Sequence, residues 1–163
     1  MILRVTSRWK AHAACDHNIS HLISIQNPDA DLGGLRPASI PPENHLLLLF
    51  EDVSEPLHPR GPKEIHLHQL FNWVQAVDRD ELRGLVVHCD AGVSRSTASA
   101  WLTLVLLEPE VSPQELLERV ETCTGSGYCF PSGLMVAIAD DLLECEGKLV
   151  EALAIWKAEQ RTW

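Results

Sequence analysis

Residues 84–107, "GLVVHCDAGVSRSTASAWLTLVLL", constrain the architecture more than any other stretch of the chain. "LRGLVVHC" ends in an apolar run without alternation, the pattern of a strand buried on both faces. "RSTASAWLTLVLLE" follows with apolar side chains at helical spacing. Only Asp90 to Ser94 separate the two, so the strand ends at Cys89 and the helix begins near Arg95. A strand covered on both faces needs strand neighbours beside it and helices above and below.

The rest of the chain supplies both. "ILRVT" (2–6) alternates as a short strand, and Thr6 or Ser7 is placed to cap a helix running through Cys15. "HLISIQN" (21–27) reads as a second strand, closed by Asn27-Pro28. "PDADLGGLRPASIPPEN" is dense in turn formers and reads as a surface loop. "HLLLLFED" (45–52) is uniformly apolar and is expected to be another strand buried on both faces. "KEIHLHQLFNWVQAVDRD" carries Ile65, Leu67, Leu70, Phe71, Val74 and Val77 at near-helical spacing.

"SPQELLERVETC" has Ser112 at the cap, Pro113 in the first turn and Glu115 at the capping-box position. "FPSGLMVAIADDLLECEGKLVEALAIWKAEQ" reads as one long helix with an interruption near Gly147. Trp73, Trp101 and Trp156 are expected to fill core space, and Trp163 to fray. Strands alternating with helices imply right-handed crossovers. The expected fold is α/β: a central, mainly parallel sheet flanked by helices, with a C-terminal helical cluster on one face, over one domain from 1 to 163. Ligands of such sheets bind at the carboxyl ends of the strands, where Cys89 lies.

Charge narrows the partners. The 163 residues include 13 basic and 23 acidic side chains, a net charge of -10. A nucleic acid or an anionic membrane surface needs a broad basic face, so neither is expected as a partner. No apolar run reaches the roughly 18 residues of a membrane span, and the first residues lack the pattern of an export signal. The five cysteines (Cys15, Cys89, Cys123, Cys129, Cys145) are odd in number and contain no C-x-x-C pair. They read as reduced thiols of a cytoplasmic protein, with no metal or cofactor expected.

A small anion site is a different matter. The backbone N–H groups of a tight loop and of the first helical turn have no intrahelical partner and attract anions. Residues Asp90, Ala91, Gly92, Val93, Ser94, Arg95 and Ser96 would form such a cup for phosphate or another oxyanion. Gly92 relieves the backbone at its tightest point. The Arg95 guanidinium offers a planar fork to two oxygens of a tetrahedral anion. The same polarised loop favours the ionised form of a sulfur at its centre, which makes Cys89 a candidate nucleophile. Ser96 can donate a hydrogen bond to that sulfur, and His88 is expected to orient the loop through backbone carbonyls.

"HCDAGVSRS" (88–96) resembles the signature of the protein tyrosine phosphatase superfamily, H-C-x5-R-[ST], in the Ala-Gly-x-Ser-Arg-Ser form common among dual-specificity phosphatases. "HLISI", "LLLLFED", "LVVHCDAGVSRSTASAW" and "LMVAIADDLL", in this order, look like a compact bacterial branch of it. The resemblance implies a phosphatase loop between a central strand and a helix, a cysteinyl-phosphate intermediate, and an aspartate general acid on a loop after an earlier strand. Asp52 ends "LLLLFED", 37 positions ahead of Cys89, and fits that place. Glu51 and Glu55 are its rivals. Relatives often carry an asparagine or glutamine for the hydrolytic water near the last helices; here Ser132 follows Pro131.

The loop has no lysine, and Asp90 should repel highly charged substrates. A phosphorylated protein or a small phosphomonoester is therefore expected, phosphotyrosine first. Pocket walls are expected from residues 33–37, 53–61 and 124–133, where Arg36 and Arg60 are candidates for a second anion. Cys15 or Cys129 is a candidate partner for a protective disulfide with Cys89. Two other uses of the loop stay open: capture of phosphoproteins without turnover, and chemistry on another oxyanion, as in an arsenate reductase or a rhodanese.

Overall fold

The computed structural model describes residues 1–160, so Trp163 lies outside the described residues. In chain order the elements are β1 (Ile2–Ser7), α1 (Arg8–Ala14), β2 (His21–Gln26), a 3-10 turn (Pro42–Asn44), β3 (His45–Leu49), α2 (Glu64–Ala76), β4 (Gly84–Cys89), α3 (Arg95–Leu107), α4 (Pro113–Thr122), α5 (Gly133–Leu142) and α6 (Lys148–Gln160). The sheet order is β1-β4-β2-β3, and every pairing is parallel. All four strands therefore end on the same edge. Four connecting segments crowd there: Arg8 after β1, Asn27 after β2, Phe50 to Asp52 after β3, and Asp90 to Ser94 after β4.

The two central strands are apolar without alternation because each of their faces meets a different core. Ile23, Ile25, Leu85, Val87 and Cys89 pack into the large cluster under α2 to α6. Leu22 and Val86 face the other way, onto Cys15, Ile19 and Ile40. The leucines of β3 behave differently from expectation. This strand lies at the edge of the sheet, and within His45–Leu49 only Leu48 is fully buried. Uniform hydrophobicity signals an apolar strand but does not say whether a neighbour stands on each side.

α3 is buried along nearly its whole length, and its Trp101 donates its indole N–H to the Pro113 carbonyl at 2.8 Å, anchoring α4. Ser112 caps α4 by accepting the Glu115 N–H. Ser7 stands at the N-cap of α1 but makes no side-chain cap bond.

The expected long C-terminal helix is divided into α5 and α6. Glu144, Glu146 and Gly147 take positive φ values of 53°, 55° and 86° between them. Asp140, 3% exposed, holds the break: its carboxylate accepts the Gly147, Leu149 and Val150 N–H groups at 2.6, 2.7 and 3.3 Å. It thus satisfies backbone donors that the start of α6 would otherwise leave bare. Asp140→Ala removes all three bonds at a buried position and is expected to cost about 2 kcal/mol in a urea unfolding experiment. A change within a few tenths would show that the break is held by packing alone.

Candidate active site

The segment between β4 and α3 is built around the direction of its peptide planes. The Asp90 carbonyl accepts the Arg8 N–H at 3.2 Å, the Val93 carbonyl accepts Phe130 N–H at 3.0 Å, and the Ser94 carbonyl accepts Ser132 N–H at 3.4 Å. These three carbonyls are tied to the surrounding chain. Across a planar trans peptide the N–H points opposite to the C=O, so the Ala91, Ser94 and Arg95 amides are turned away from these partners. The Gly92 N–H is directed at the Cys89 sulfur at 3.3 Å. Gly92 has φ +77°, and a Cβ there would lie 2.4 Å from the Thr6 carbonyl carbon, so the turn admits no side chain.

Cys89 is 1% exposed and sits at the bottom of this cup. The Ser96 hydroxyl lies 3.3 Å from its sulfur, the only side-chain oxygen placed against it among the described residues. Thr97 closes the first turn of α3 from below, donating its hydroxyl to the Val93 and Ser94 carbonyls at 2.6 and 2.9 Å.

Arg95, 4% exposed, reaches back across the loop. Its Nη1 donates to Asn27 Oδ1 at 2.8 Å and to the Phe50 carbonyl at 2.7 Å. Its Nη2 donates to Asp90 Oδ2 at 3.0 Å. Its Nε–H is buried and meets no hydrogen-bond acceptor; Asp52 Oδ2 stands 3.9 Å away. Asn27 was not among the residues singled out from sequence. The signal that could have found it is its place directly after β2, on the edge where Cys89 lies.

Asp52 is brought to the same mouth. Its Oδ1 accepts the Ser94 hydroxyl at 2.8 Å, and its side chain is about two-fifths exposed, at 41%. Glu51 turns elsewhere. Its carboxylate pairs with Arg60 Nε at 2.5 Å, and Arg60 also reaches Asp29 at 2.9 Å. Glu55 is exposed on the following loop, where its carbonyl accepts the His58 N–H. Of the three carboxylates, Asp52 alone contacts the loop among the described residues. Arg60 is thereby a clasp between the segments after β2 and β3, and Arg36 is bonded to the Ile40 carbonyl of its own loop.

The segment 124–133 does border the loop, through Phe130 and Ser132. The Ser132 hydroxyl is committed to the α5 N-terminus, where it accepts the Met135 N–H. The thiols expected to shield Cys89 are placed unequally. Cys15 lies in the core on the opposite face of the sheet, while Cys129 shares the Cys89 face. Burial pushes the Cys15 thiol up to about 11 and that of Cys129 up to about 12, so both are poor sources of thiolate. Among the described residues no group of three or more His, Cys, Asp or Glu side chains is arranged to hold a metal ion.

His88 faces away from Cys89, as neighbours on a strand must. Its Nε2 meets the Ser24 hydroxyl of β2 at 2.7 Å rather than a carbonyl, and the same hydroxyl meets His45 Nε2 of β3 at 2.9 Å. The three side chains cross the sheet from the base of the loop to the edge strand. Neither Ser24 nor His45 is recognisable in sequence, because the pairing depends on strand order.

No family model matches the sequence, and no curated protein matches it. Solved structures do match over nearly the whole chain. The Cydia pomonella PTP-2 phosphatase is 22% identical, with 86% of this chain and 85% of that one covered and a TM-score of 0.63. Human DUSP28 is 15% identical, with 96% and 94% covered and a TM-score of 0.60. PTPMT1 in complex with PI(5)P is 15% identical, with 94% and 93% covered and a TM-score of 0.59.

The histidine beneath the loop carries a pH dependence whose sign follows from its position. Burial pushes the His88 imidazole down to about 4 from its ordinary 6.5. Unfolding restores the ordinary value, so below about pH 6.5 the unfolded chain takes up this proton first. The stability His88 contributes is complete above that pH and drains away as pH falls toward about 4. Thermal unfolding of His88→Gln is expected to fall less steeply than wild type between pH 7 and about pH 4.5. His21, His45 and His66, also lowered by burial, leave the variant some residual slope. Parallel curves would place the titration elsewhere.

Proposed function

We propose that this chain, which has the fold of the protein tyrosine and dual-specificity phosphatases, is a metal-independent phosphatase acting through a cysteinyl-phosphate. The observation that carries the reading is the constellation at one loop: a buried sulfur under the Gly92 amide and Ser96 hydroxyl, with the unpartnered Arg95 Nε–H and the Asp52 carboxyl at the mouth. A tetrahedral dianion in the cup would meet inward amides and one guanidinium edge together.

In the first step the Cys89 sulfur attacks phosphorus and the P–O ester bond breaks. Asp52, entering as the carboxylic acid, gives its proton to the departing oxygen, which would otherwise leave as an unfavourable alkoxide or phenoxide. Arg95 and the loop amides carry the charge spread over the three remaining oxygens. In the second step a water attacks phosphorus and Asp52, now a carboxylate, accepts its proton. The S–P bond breaks and returns the thiolate, which the Ser96 hydroxyl stabilises as it leaves.

The surroundings favour an aryl phosphate. Trp9 is 85% exposed and directly follows Arg8, whose amide holds the Asp90 carbonyl; Phe130, half exposed at 51%, directly adjoins Val93. Both rings belong to segments that border the loop and keep exposed surface, Trp9 under the Arg8 guanidinium and Phe130 edge-on to Trp156, so a phosphotyrosine ring has apolar surface available near the loop. A loop without lysine, bearing Asp90, is poorly suited to a polyphosphorylated headgroup.

The test is hydrolysis in the presence of EDTA. Wild type is expected to turn over p-nitrophenyl phosphate and Cys89→Ser to fall to background. Asp52→Asn is expected to lower kcat on a phosphotyrosine peptide by about 10²–10⁴-fold, and much less on p-nitrophenyl phosphate, whose leaving group needs little protonation. Wild-type turnover that survives Cys89→Ser would overturn the mechanism, and an unchanged peptide rate in Asp52→Asn would remove that residue from its role.

A further inference from the structure

A guanidinium has five N–H donors, and the neighbours of Arg95 divide them unequally. Nη1 is spent on fixed structure, Asn27 Oδ1 and the Phe50 carbonyl. Nε and Nη2 form the side edge, the pair that grips two oxygens of one anion. Nη2 gives one of its two N–H groups to Asp90 Oδ2 at 3.0 Å, while Nε–H is buried and unpartnered. A carboxylate of the loop itself therefore engages the nitrogen that shares this edge with the open Nε–H.

The two ends of Asp90 are held differently. Its carbonyl is fixed by Arg8 N–H, but its side chain is 42% exposed and among the described residues hydrogen-bonds to Arg95 alone. The carboxylate can turn to water by side-chain rotation alone, without disturbing the peptide planes that form the cup. Asp52 Oδ2, on the Nε side, is too far for a hydrogen bond and leaves that donor to a ligand.

We infer that Asp90 is an affinity- and specificity-setting residue: its carboxylate stands in for one oxyanion oxygen on Arg95, and a phosphomonoester binds by displacing it. The inference rests on the phosphatase reading of the loop and adds a cost that every anion must meet. Once displaced, Asp90 remains one residue from the nucleophile, and its charge opposes ligands more strongly the more negative they are. The loop thereby prefers a single phosphoryl group on an otherwise uncharged or cationic substrate to one bearing several phosphates.

Asp90→Asn keeps the shape and removes the charge; Asp90→Ala removes both. The experiment measures inorganic phosphate binding by calorimetry and p-nitrophenyl phosphate kinetics for wild type and both variants. In both variants the phosphate Kd and the KM are expected to fall about tenfold, with kcat changing less. Unchanged or weaker phosphate binding in both would overturn the gate. So would a kcat lost in Asp90→Ala and rescued in Asp90→Asn at constant KM, which would make Asp90 a positioning residue for Arg95. Tighter phosphate binding in the variants without turnover by any of the three proteins would uphold the gate while sinking the phosphatase reading. Turnover with unaltered affinities would do the reverse.

Discussion

The site depends on three outward hydrogen bonds. Asp90, Val93 and Ser94 give their carbonyls to Arg8, Phe130 and Ser132, which belong to the segments leaving β1 and entering α5. With the carbonyls engaged outside, the amides of the loop have only the interior to face. The cup is thus a consequence of where β1 and α5 stand, and these are set by the parallel sheet and the helices on its larger core. Gly92 is the point at which this arrangement has no slack, pressed against the backbone of Thr6 and Ser7.

Electrostatically the site is a local exception in an acidic protein. A net charge of -10 gives no general attraction for anions. What the loop has is a buried guanidinium whose position is fixed by neutral acceptors, Asn27 and the Phe50 carbonyl, and whose charge is met by Asp90 and, at longer range, Asp52. An incoming phosphoryl group therefore enters a field that is already partly balanced. On the proposed reading, selectivity comes from Asp90 giving way while Asp52 remains to exchange a proton.

Much of this was legible in the residues. The strand-turn-helix at 84–107 put Cys89 and Arg95 at the two ends of one turn, and the resemblance pointed to Asp52, which follows β3 on the same edge. The rest depended on spatial order. "HLLLL" could not announce itself as an edge strand, because composition carries no count of neighbours. Asn27, Ser24 and His45 became meaningful only when β2 was seen to lie between β4 and β3. Glu51 and Arg60 looked available until their mutual pairing was visible. The break between α5 and α6 was foreshadowed by Gly147, but the carboxylate that holds it, Asp140, lies a full turn and a loop away in sequence.

The central claim is that the sulfur at the base of this loop becomes covalently bonded to phosphorus during turnover. Mixing the protein with a 32P-labelled aryl phosphate, quenching in alkaline detergent within a turnover and mapping the labelled peptide tests it most directly. The account predicts label on the peptide containing Cys89 that persists in alkali and is lost in mild acid, and none in the Cys89→Ser protein. Label on another residue, or sustained release of phosphate from a wild-type enzyme that never carries label, would contradict it.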